Sequence, residues 1–519
     1  MIVKGSQRFR PRQSSAAFIL SAALVLGGCA GKPDESRRGT AGFVRGFVGG
    51  VVADEPRAAL VGRDVLSAGG SAVDAAVATY FTLAVTLPSV ATLGGGGVCL
   101  VHDPAKNTTE MLDFAAPASA SVAGRGANNI AGRGANVAVP ANARGFFVLH
   151  ARYGRLKWAQ ILAPSANAAR FGVRVSRALA ADLTASGGAI MAEPSLRRVF
   201  GRRDGTGPLA EGEQLLQIDL AAMLERIRGQ GPGYLHIGAG AAELARAYQA
   251  AGLSLTREDL RDLNPAWRRP ISLPIEIGGT RLLAHFAAPP ASGGAVTAKI
   301  AAQALAEGGR HARAGAGDRA ALIAEAAGQA ENERRPTPSP SDGSAATTIV
   351  AADSEGMAVA CALTPNAPFG AGRMAPGTGI IAAAAPDASG RGPAALTAAL
   401  AHERRRNDVV FAGAASGGAA AAAALAQVMA ELGVDGRLME DALAAPRVYR
   451  GGPAGAVYHE NHLPDAARQA LAARGLRPSA TPTLGNVGAL YCPGGLLGAP
   501  AQCALRADGR GFGLAVGAD

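Results

Sequence analysis

The stretch of residues 343–370 most constrains the fold, because its pattern predicts two adjacent β-strands. The strands cover residues 347–352 and 357–363, and small and β-branched side chains fill both of them. The turn between them ends on Gly356, which can adopt the positive φ that a tight turn needs. The stretch is therefore predicted to form a β-hairpin.

The segment just before this hairpin, residues 336–346, is rich in proline and serine and is predicted to be an exposed linker with a possible cleavage site. If the chain is cut there, Thr347 becomes a candidate N-terminal nucleophile. A threonine hydroxyl is a weak nucleophile alone, but the free α-amine of the same residue can act as its base. The alternative is an ordinary hairpin between domains, with no catalytic role.

The overall composition is that of a large folded protein. The chain has 519 residues, of which 48% are hydrophobic, which suits two to four domain-sized units or one large layered domain. Aromatic residues make up only 4%, so small aliphatic side chains must fill the core. Predicted strands and helices intermix along the sequence without a repeat, which indicates a layered α/β or α+β fold.

Residues 1–28 have the pattern of a signal peptide, in which basic residues precede a short apolar run. That run, residues 16–26, is too short to span a bilayer as a stable helix. It leads into Leu26-Gly27-Gly28-Cys29, the residue order of a bacterial lipobox, which predicts that Cys29 is lipidated and becomes the new N-terminus. The alternative is an ordinary signal peptide with an incidental cysteine.

The polar, glycine-rich residues 29–50 predict a flexible tether between the lipid and the folded part. Together these features predict a lipid-anchored protein on the periplasmic side of the bacterial cell envelope. Ala30, directly after the cysteine, provides no acidic inner-membrane retention signal, which favours the outer membrane.

The formal net charge of +11 comes mainly from scattered arginines. No basic stripe is interleaved with aromatic residues, so the sequence argues against a nucleic-acid partner. A mildly basic surface is the simpler interpretation.

The other cysteines fall into two pairs with different surroundings. Cys99 and Cys361 lie in apolar strand-like runs and are predicted to behave as small buried hydrophobic residues. Cys492 and Cys503 bracket a loop rich in glycine and proline, which in an exported protein predicts a disulfide. No cysteine or histidine cluster has metal-ligand spacing, so no metal site is predicted.

Gly417 and Gly418 lie between a predicted strand, residues 411–415, and a predicted helix, residues 419–432. Glycines at such a junction expose backbone N–H groups that can hold an oxyanion. Close packing at a turn explains the pair equally well.

Several stretches, taken together and in order, resemble the γ-glutamyltransferase family. They cover roughly residues 50–510 and are GGSAVDAAVA (69–78), LPSVATLGGGGVCLVHD (87–103), HARYGRLKWAQILAPSANAA (150–169), PPASGG (289–294), FGAGRMAPGTGI (369–380), GAASGG (413–418) and DALAAPRVY (441–449).

The resemblance implies an α+β fold of the N-terminal-nucleophile hydrolase type, a four-layer αββα sandwich. It also implies a precursor that cuts itself into two non-covalent fragments, a large one (residues 51–335) and a small one (residues 347–519), which form one composite domain. The implied reaction transfers a γ-glutamyl group from a small peptide-like donor to water or an amino acid through an acyl-enzyme. Neither a metal nor an organic cofactor is implied.

The resemblance also assigns roles to particular residues. Thr364 and Asn366 match the hairpin pair that positions the nucleophile and the substrate, and Gly417 and Gly418 match the oxyanion hole. Thr397 occupies the place of the first of two substrate-binding serines. The place of the second serine is taken by Ala398.

The two charged groups that hold the substrate's amino-acid end are not found at their expected places. The arginine for the α-carboxylate is replaced by Ala115-Ala116. The acidic group for the α-amine falls on Ala388 without a gap, so the neighbouring Asp387 would have to substitute for it.

The nucleophile itself depends on alignment. Without a gap its place falls on Ala346, whereas a one-residue gap in the strand restores Thr347. A slip of one residue turns every following side chain to the other face of the sheet, unless a bulge compensates. The leading hypothesis is thus an acyl transferase or hydrolase for γ-glutamyl or related amide substrates, with Thr347 as nucleophile. The alternative is an inactive family member that serves as an envelope scaffold or binding lipoprotein.

Overall fold

The computed structural model describes residues 49–120, 137–306, 309–331, 345–386, 396–434, 436–451 and 456–518. The predicted signal peptide, Cys29 and most of the predicted linker lie outside these ranges. Within them, no helix combines the length and the apolar character needed to cross a membrane.

The strands of the described residues are, in chain order, β1 (Gly49–Ala53), β2 (Gly96–Asp103), β3 (Thr108–Phe114), β4 (Val173–Arg174), β5 (Gln214–Leu215), β6 (Ala266–Arg268), β7 (Ile271–Ile277), β8 (Thr280–Phe286), β9 (Thr347–Asp353), β10 (Ala358–Thr364), β11 (Met374–Ala375), β12 (Ile380–Ile381), β13 (Thr397–Glu403), β14 (Asp408–Ser416), β15 (Val448–Arg450), β16 (Ala456–Glu460), β17 (Arg477–Thr481), β18 (Asn486–Tyr491), β19 (Ala504–Arg506) and β20 (Leu514–Ala518).

The α-helices of the same residues are α1 (Pro56–Ser67), α2 (Ala72–Thr86), α3 (Pro88–Ala91), α4 (Asn142–Tyr153), α5 (Trp158–Phe171), α6 (Arg177–Ala185), α7 (Gly187–Ala192), α8 (Pro194–Phe200), α9 (Ile218–Gln230), α10 (Gly233–His236), α11 (Gly238–Ala250), α12 (Arg257–Asp262), α13 (Ser292–Ala304), α14 (Arg310–Arg313), α15 (Ala316–Glu331), α16 (Ala421–Leu432), α17 (Met439–Ala444) and α18 (Asp465–Ala473).

Two large antiparallel sheets form the centre of the molecule. The first sheet has the strand order β20-β1-β9-β10-β2-β3-β6, and the second has the order β19-β18-β14-β13-β8-β7. The predicted hairpin is confirmed as β9 and β10, in the interior of the first sheet. Both sheets take strands from both sides of the predicted linker, so the two predicted regions share one body.

Three apolar clusters show how the layers stack. One cluster lies between the sheets and includes Val350 from the first and Leu400 from the second. A second cluster packs the outer face of the first sheet, including Ile349, against helices such as α2. A third packs the outer face of the second sheet, including Phe411, against α13, α15 and α16. The predicted four-layer αββα sandwich is confirmed.

Helix α2 shows why the Ala/Val-rich sequence suits a buried layer. All of its residues are buried. The side chain of Ser71 accepts from the N–H of Asp74, whose carboxylate accepts from the N–H of Ser71 in return. This capping box satisfies two helix-terminal N–H groups where water is excluded.

Both cysteine pairs form disulfides. Cys492 is bonded to Cys503, the pairing expected from the sequence. Cys99 and Cys361 are fully buried, as expected, but they are also bonded to each other, which the sequence prediction missed. Because β2 and β10 pair in register at these two residues, the strand alignment brings the two sulfur atoms together.

A stack of three histidine rings bridges the two sheets. His402 of the second sheet lies between His102 of the first and His285 of the second, with ring centroids 4.6 and 5.2 Å apart. Nε2 of His402 is 3.1 Å from Nε2 of His285. Burial lowers the pKa of His102 to about 4 and that of His285 to about 3, so both rings are uncharged at neutral pH.

Candidate active site

The hydroxyl of Thr364, at the end of β10, ties the start of β9 to the following loop. Its Oγ1 donates to the carbonyl oxygen of Ala345 and accepts from the N–H of Asn366 at 2.8 Å. Asn366 has a φ of +69° and donates through Nδ2 to the carbonyl oxygen of Ala384 at 2.9 Å. Thr364 and Asn366 therefore lie together at the linker end of the hairpin.

The pairing of β9 with β10 fixes which residue faces Thr364. Pairing runs from Ala352 opposite Ala358 to Thr347 opposite Leu363, in unbroken one-to-one steps. By continuation of this register, Ala346 rather than Thr347 lies opposite Thr364. The bulge that would compensate a one-residue gap is not found in the described part of the hairpin.

Alternation along β9 places neighbouring residues on opposite faces of the sheet. Val350 belongs to the apolar cluster between the sheets. Ala346 lies four residues earlier, so alternation places it on the same face as Val350. Ile349 belongs to the cluster that packs against the helices. Thr347 lies two residues earlier, so alternation places it on the same, outer face of the sheet. Thr347 is fully buried.

Asp54, which sequence reasoning missed, binds the start of β9. Its Oδ2 accepts from Oγ1 of Thr347 and from the N–H of Thr348, each at 2.9 Å. Its Oδ1 accepts from Nδ2 of Asn486 at 3.0 Å. Burial raises the pKa of Asp54 to about 6, although these hydrogen bonds oppose the shift. We call Asp54, Thr347, Thr348 and Asn486 the Asp54 cluster.

Asp54 directly follows the apolar strand β1, and its partners are about 300 to 430 residues away in the sequence. An acidic residue at the end of a buried strand was the available signal. Nothing local to that position indicates its partners.

The glycine pair forms the tight turn expected at the head of α16. Gly417 and Gly418 have φ values of +97° and +79°, in the region that favours glycine. A Cβ on Gly417 would lie 2.8 Å from Cα of Gly485, so the space excludes any larger residue. The conformation suits exposed N–H groups, and the oxyanion-hole role of the pair stays a prediction.

Comparisons with known proteins identify the family. The model for γ-glutamyltranspeptidase matches residues 58–335, more than half of the chain. The chain belongs to the γ-glutamyltranspeptidase family.

Individual relatives agree with this assignment. The glutathione hydrolase proenzyme of Escherichia coli (strain K12) is 33% identical over 262 residues, which cover 49% of this chain and 44% of that protein. The corresponding proenzyme of Pseudomonas aeruginosa is 34% identical over 263 residues, 49% of this chain and 45% of that protein. The chain thus matches less than half the length of these relatives.

Among solved structures, the cephalosporin acylase of Bacillus halodurans superimposes with a TM-score of 0.73 at 22% identity, covering 91% of this chain and 96% of that one. The structure named LmbA2991T421A gives a TM-score of 0.70 at 19% identity, covering 92% and 99%. At these identities the likeness establishes the shared fold.

The positions that bind substrate in the γ-glutamyltranspeptidase family are only partly recognisable here. Thr397 is fully buried, and its Oγ1 lies 2.7 Å from Oγ1 of Thr297 in α13, which connects it to the helical layer. Asp387 lies outside the described residues. The predicted substrate contacts of both residues stay predictions.

Ala115 and Ala116 lie where the sequence resemblance predicts the family's carboxylate-binding arginine. A Cβ on Gly96 would lie 2.3 Å from the backbone N of Ala116, so the chain is tightly packed there. Nearby, Nε of Arg268 lies 2.8 Å from Oδ2 of Asp113 and forms an ion pair with it. Ala115 and Ala116 provide no ionic contact for a substrate carboxylate.

A buried ion pair between Arg447 and Asp508 holds the loop that packs against the glycine turn. Arg447 donates to Oδ2 of Asp508 at 2.6 Å and to the carbonyl oxygens of Leu484 and Gly485 at 3.2 and 3.1 Å. Gly485 is the residue that packs against Gly417. Arg447 therefore fixes the loop beside the turn.

Among the described residues, no group of three or more His, Cys, Asp or Glu side chains is arranged to hold a metal ion.

Proposed function

We propose that the chain is an acyl transferase or hydrolase for γ-glutamyl or related amide substrates, with Thr347 as its nucleophile. The observation that supports this proposal is the hydrogen bond from Oγ1 of Thr347 to Oδ2 of Asp54, at 2.9 Å. A hydroxyl that donates to a neighbouring base is the arrangement that activates a weak nucleophile. With a pKa of about 6, Asp54 is largely ionised at neutral pH and can accept the proton.

The first reaction is the cut before Thr347. Oγ1 of Thr347 attacks the carbonyl carbon of Ala346 and loses its proton to Asp54. The C–N bond between the two residues breaks, the departing amine takes up a proton, and an ester remains. Water hydrolyses the ester, which leaves Thr347 with a free α-amine.

In the second reaction the freed α-amine serves as the base. Oγ1 attacks the substrate's amide carbon, the leaving amine departs with a proton, and an acyl-enzyme forms. Water or an amino acid then accepts the acyl group. Since Ala115 and Ala116 offer no charge, neither of them provides an ionic contact for a substrate carboxylate.

A second function, binding without cleavage, is favoured by the hairpin register. That register places Ala346, which has no hydroxyl, opposite Thr364, and Thr364 contacts the carbonyl oxygen of Ala345. If Ala346, the residue of the ungapped alignment, occupies the place of the nucleophile, the chain has no hydroxyl there. It then keeps the family fold as an envelope binding protein and is not cleaved.

Intact-mass measurement of the reduced protein separates these two functions. The first predicts two fragments with the smaller beginning at Thr347, no cleavage in Thr347→Ala, and retained cleavage in Thr347→Ser. The second predicts an intact wild type and an Ala346→Thr variant that cuts itself before residue 346. An intact wild type that Thr347→Ala does not change would contradict the first proposal.

A further inference from the structure

A cavity of about 160 Å³ lies among α14, α15 and the C-terminal end of α16. This volume is well below the ~300–1,000 Å³ of pockets for larger organic ligands. None of the residues of the Asp54 cluster lines it. The cavity is therefore separate from the Asp54 cluster, although Arg447, which also holds the loop beside the glycine turn, is one of its lining residues, and its size suits a small ion.

Two arginines of the cavity face a single carboxylate. Arg319 and Arg437 approach the same carboxylate oxygen of Glu431, with Nη1 atoms at 3.9 and 3.4 Å. Charge-assisted hydrogen bonds are usually about 2.7–2.9 Å long, so these contacts are loose. Two guanidinium groups thus share one carboxylate and retain donors for a second acceptor.

Buried polar atoms also line the cavity. His311 is 2% exposed, and its Nδ1 has no hydrogen-bond partner among the described residues. The Nε atoms of Arg319 and Arg447 are likewise unpaired within the described ranges. An unpaired buried polar group costs free energy. A ligand that forms hydrogen bonds with these atoms would therefore be stabilising.

We propose that this cavity binds a small oxyanion, of the size of phosphate, sulfate or acetate, between Arg319 and Arg437. Guanidinium groups present forked donors that match the oxygens of such anions. Glu431 is the internal competitor, because its carboxylate occupies the same donors. The unpaired Nδ1 of His311 supplies a further polar contact.

Isothermal titration calorimetry on the purified chain, at constant ionic strength, tests the proposal with phosphate, sulfate and acetate in separate experiments. We expect saturable binding of at least one anion, and the three anions distinguish tetrahedral from planar selectivity. Arg319→Gln and Arg437→Gln should each weaken binding about tenfold or more, because a charge-assisted contact is lost. Glu431→Gln should strengthen binding, because the competing charge disappears.

Arg198→Gln, which changes an exposed arginine on α8, is the matched control and should leave the dissociation constant unchanged. Equal weakening by this control would show general surface attraction and overturn the proposal. If the cavity arginine variants do not fold, Glu431→Gln decides alone: tighter binding supports the site, and unchanged binding overturns it. Absence of saturable binding in both wild type and Glu431→Gln would mean that water fills the cavity and that the arginines only pair with Glu431.

Discussion

Cys99 and Cys361 lie directly opposite each other on β2 and β10, and the disulfide between them joins the chain before the predicted cleavage site to the chain after it. The expectation of two non-covalent fragments is therefore corrected. Any fragments produced by a cut before Thr347 would remain covalently connected. The strand register, rather than a local sequence motif, creates this connection.

We predict that a processed protein migrates as one species on a non-reducing gel and as two species after reduction. Cys361→Ala should give two species under both conditions. Two separate fragments from unreduced wild type would contradict the Cys99–Cys361 bond. A denaturing gel with and without thiol is sufficient.

We predict weak or absent glutathione turnover, because Ala115 and Ala116 provide no ionic contact for the donor's carboxylate. Loss of a buried charged contact usually costs several kcal/mol, or about a hundredfold or more in rate. Ala115→Arg should lower KM for glutathione in a steady-state assay of an active preparation. Wild-type turnover equal to that of ordinary family members would show that another group holds the carboxylate.

Replacing Arg447 by Met should lower the free energy of unfolding by about 1.5–3 kcal/mol, because the buried carboxylate of Asp508 loses its shorter charge-assisted hydrogen bond and keeps only Arg510 as an ionic partner among the described residues. Both side chains are at most 1% exposed. Urea unfolding measures the loss, and Arg447→Met/Asp508→Asn should recover part of it. The control Arg261→Met changes an exposed arginine and should shift stability by less than about 0.5 kcal/mol.

Acid should destabilise the protein, and the histidine stack should contribute to this effect beside the buried His236 and His311, whose pKa values are also lowered to about 4. The ordinary pKa of histidine is about 6.5, whereas that of His102 is lowered to about 4 and that of His285 to about 3. Below pH 6.5 the unfolded chain takes up protons that the folded chain excludes, so stability falls as the pH drops from about 6.5 towards 4.

His402→Leu removes the central ring of the stack and should make this pH dependence shallower. Urea unfolding at pH 7 and pH 5 measures the difference. His462→Ala, at an exposed histidine, is the control and should keep the wild-type dependence. An unchanged dependence in His402→Leu would locate the acid sensitivity elsewhere.

The predicted lipid anchor at Cys29 also has a direct test. Metabolic labelling with a fatty acid should mark the wild type and not Cys29→Ser. The physical reason is that the thioether can form only on the cysteine sulfur. Labelling that survives the substitution would contradict the anchor.

The parts of the fold that follow local patterns could be predicted from the sequence. The hairpin was recognisable because small and β-branched residues flank a turn ending in Gly356. Asp54 and the Cys99–Cys361 bond were not recognisable, because their partners are brought together by strand register across more than 260 residues. Local periodicity indicates that a strand forms but does not reveal its neighbour.

The strand order of the first sheet has a consequence for the newly made chain. Strands β1 and β2 are synthesised early, yet β9 and β10 separate them in the finished sheet, and β20 completes the edge beside β1. A growing chain of 335 residues therefore lacks the two strands that separate β1 from β2 in the finished sheet. The hairpin fills this place only after it has been made, so the inner edges of β1 and β2 stay unpaired until late in synthesis and can be bound by a chaperone.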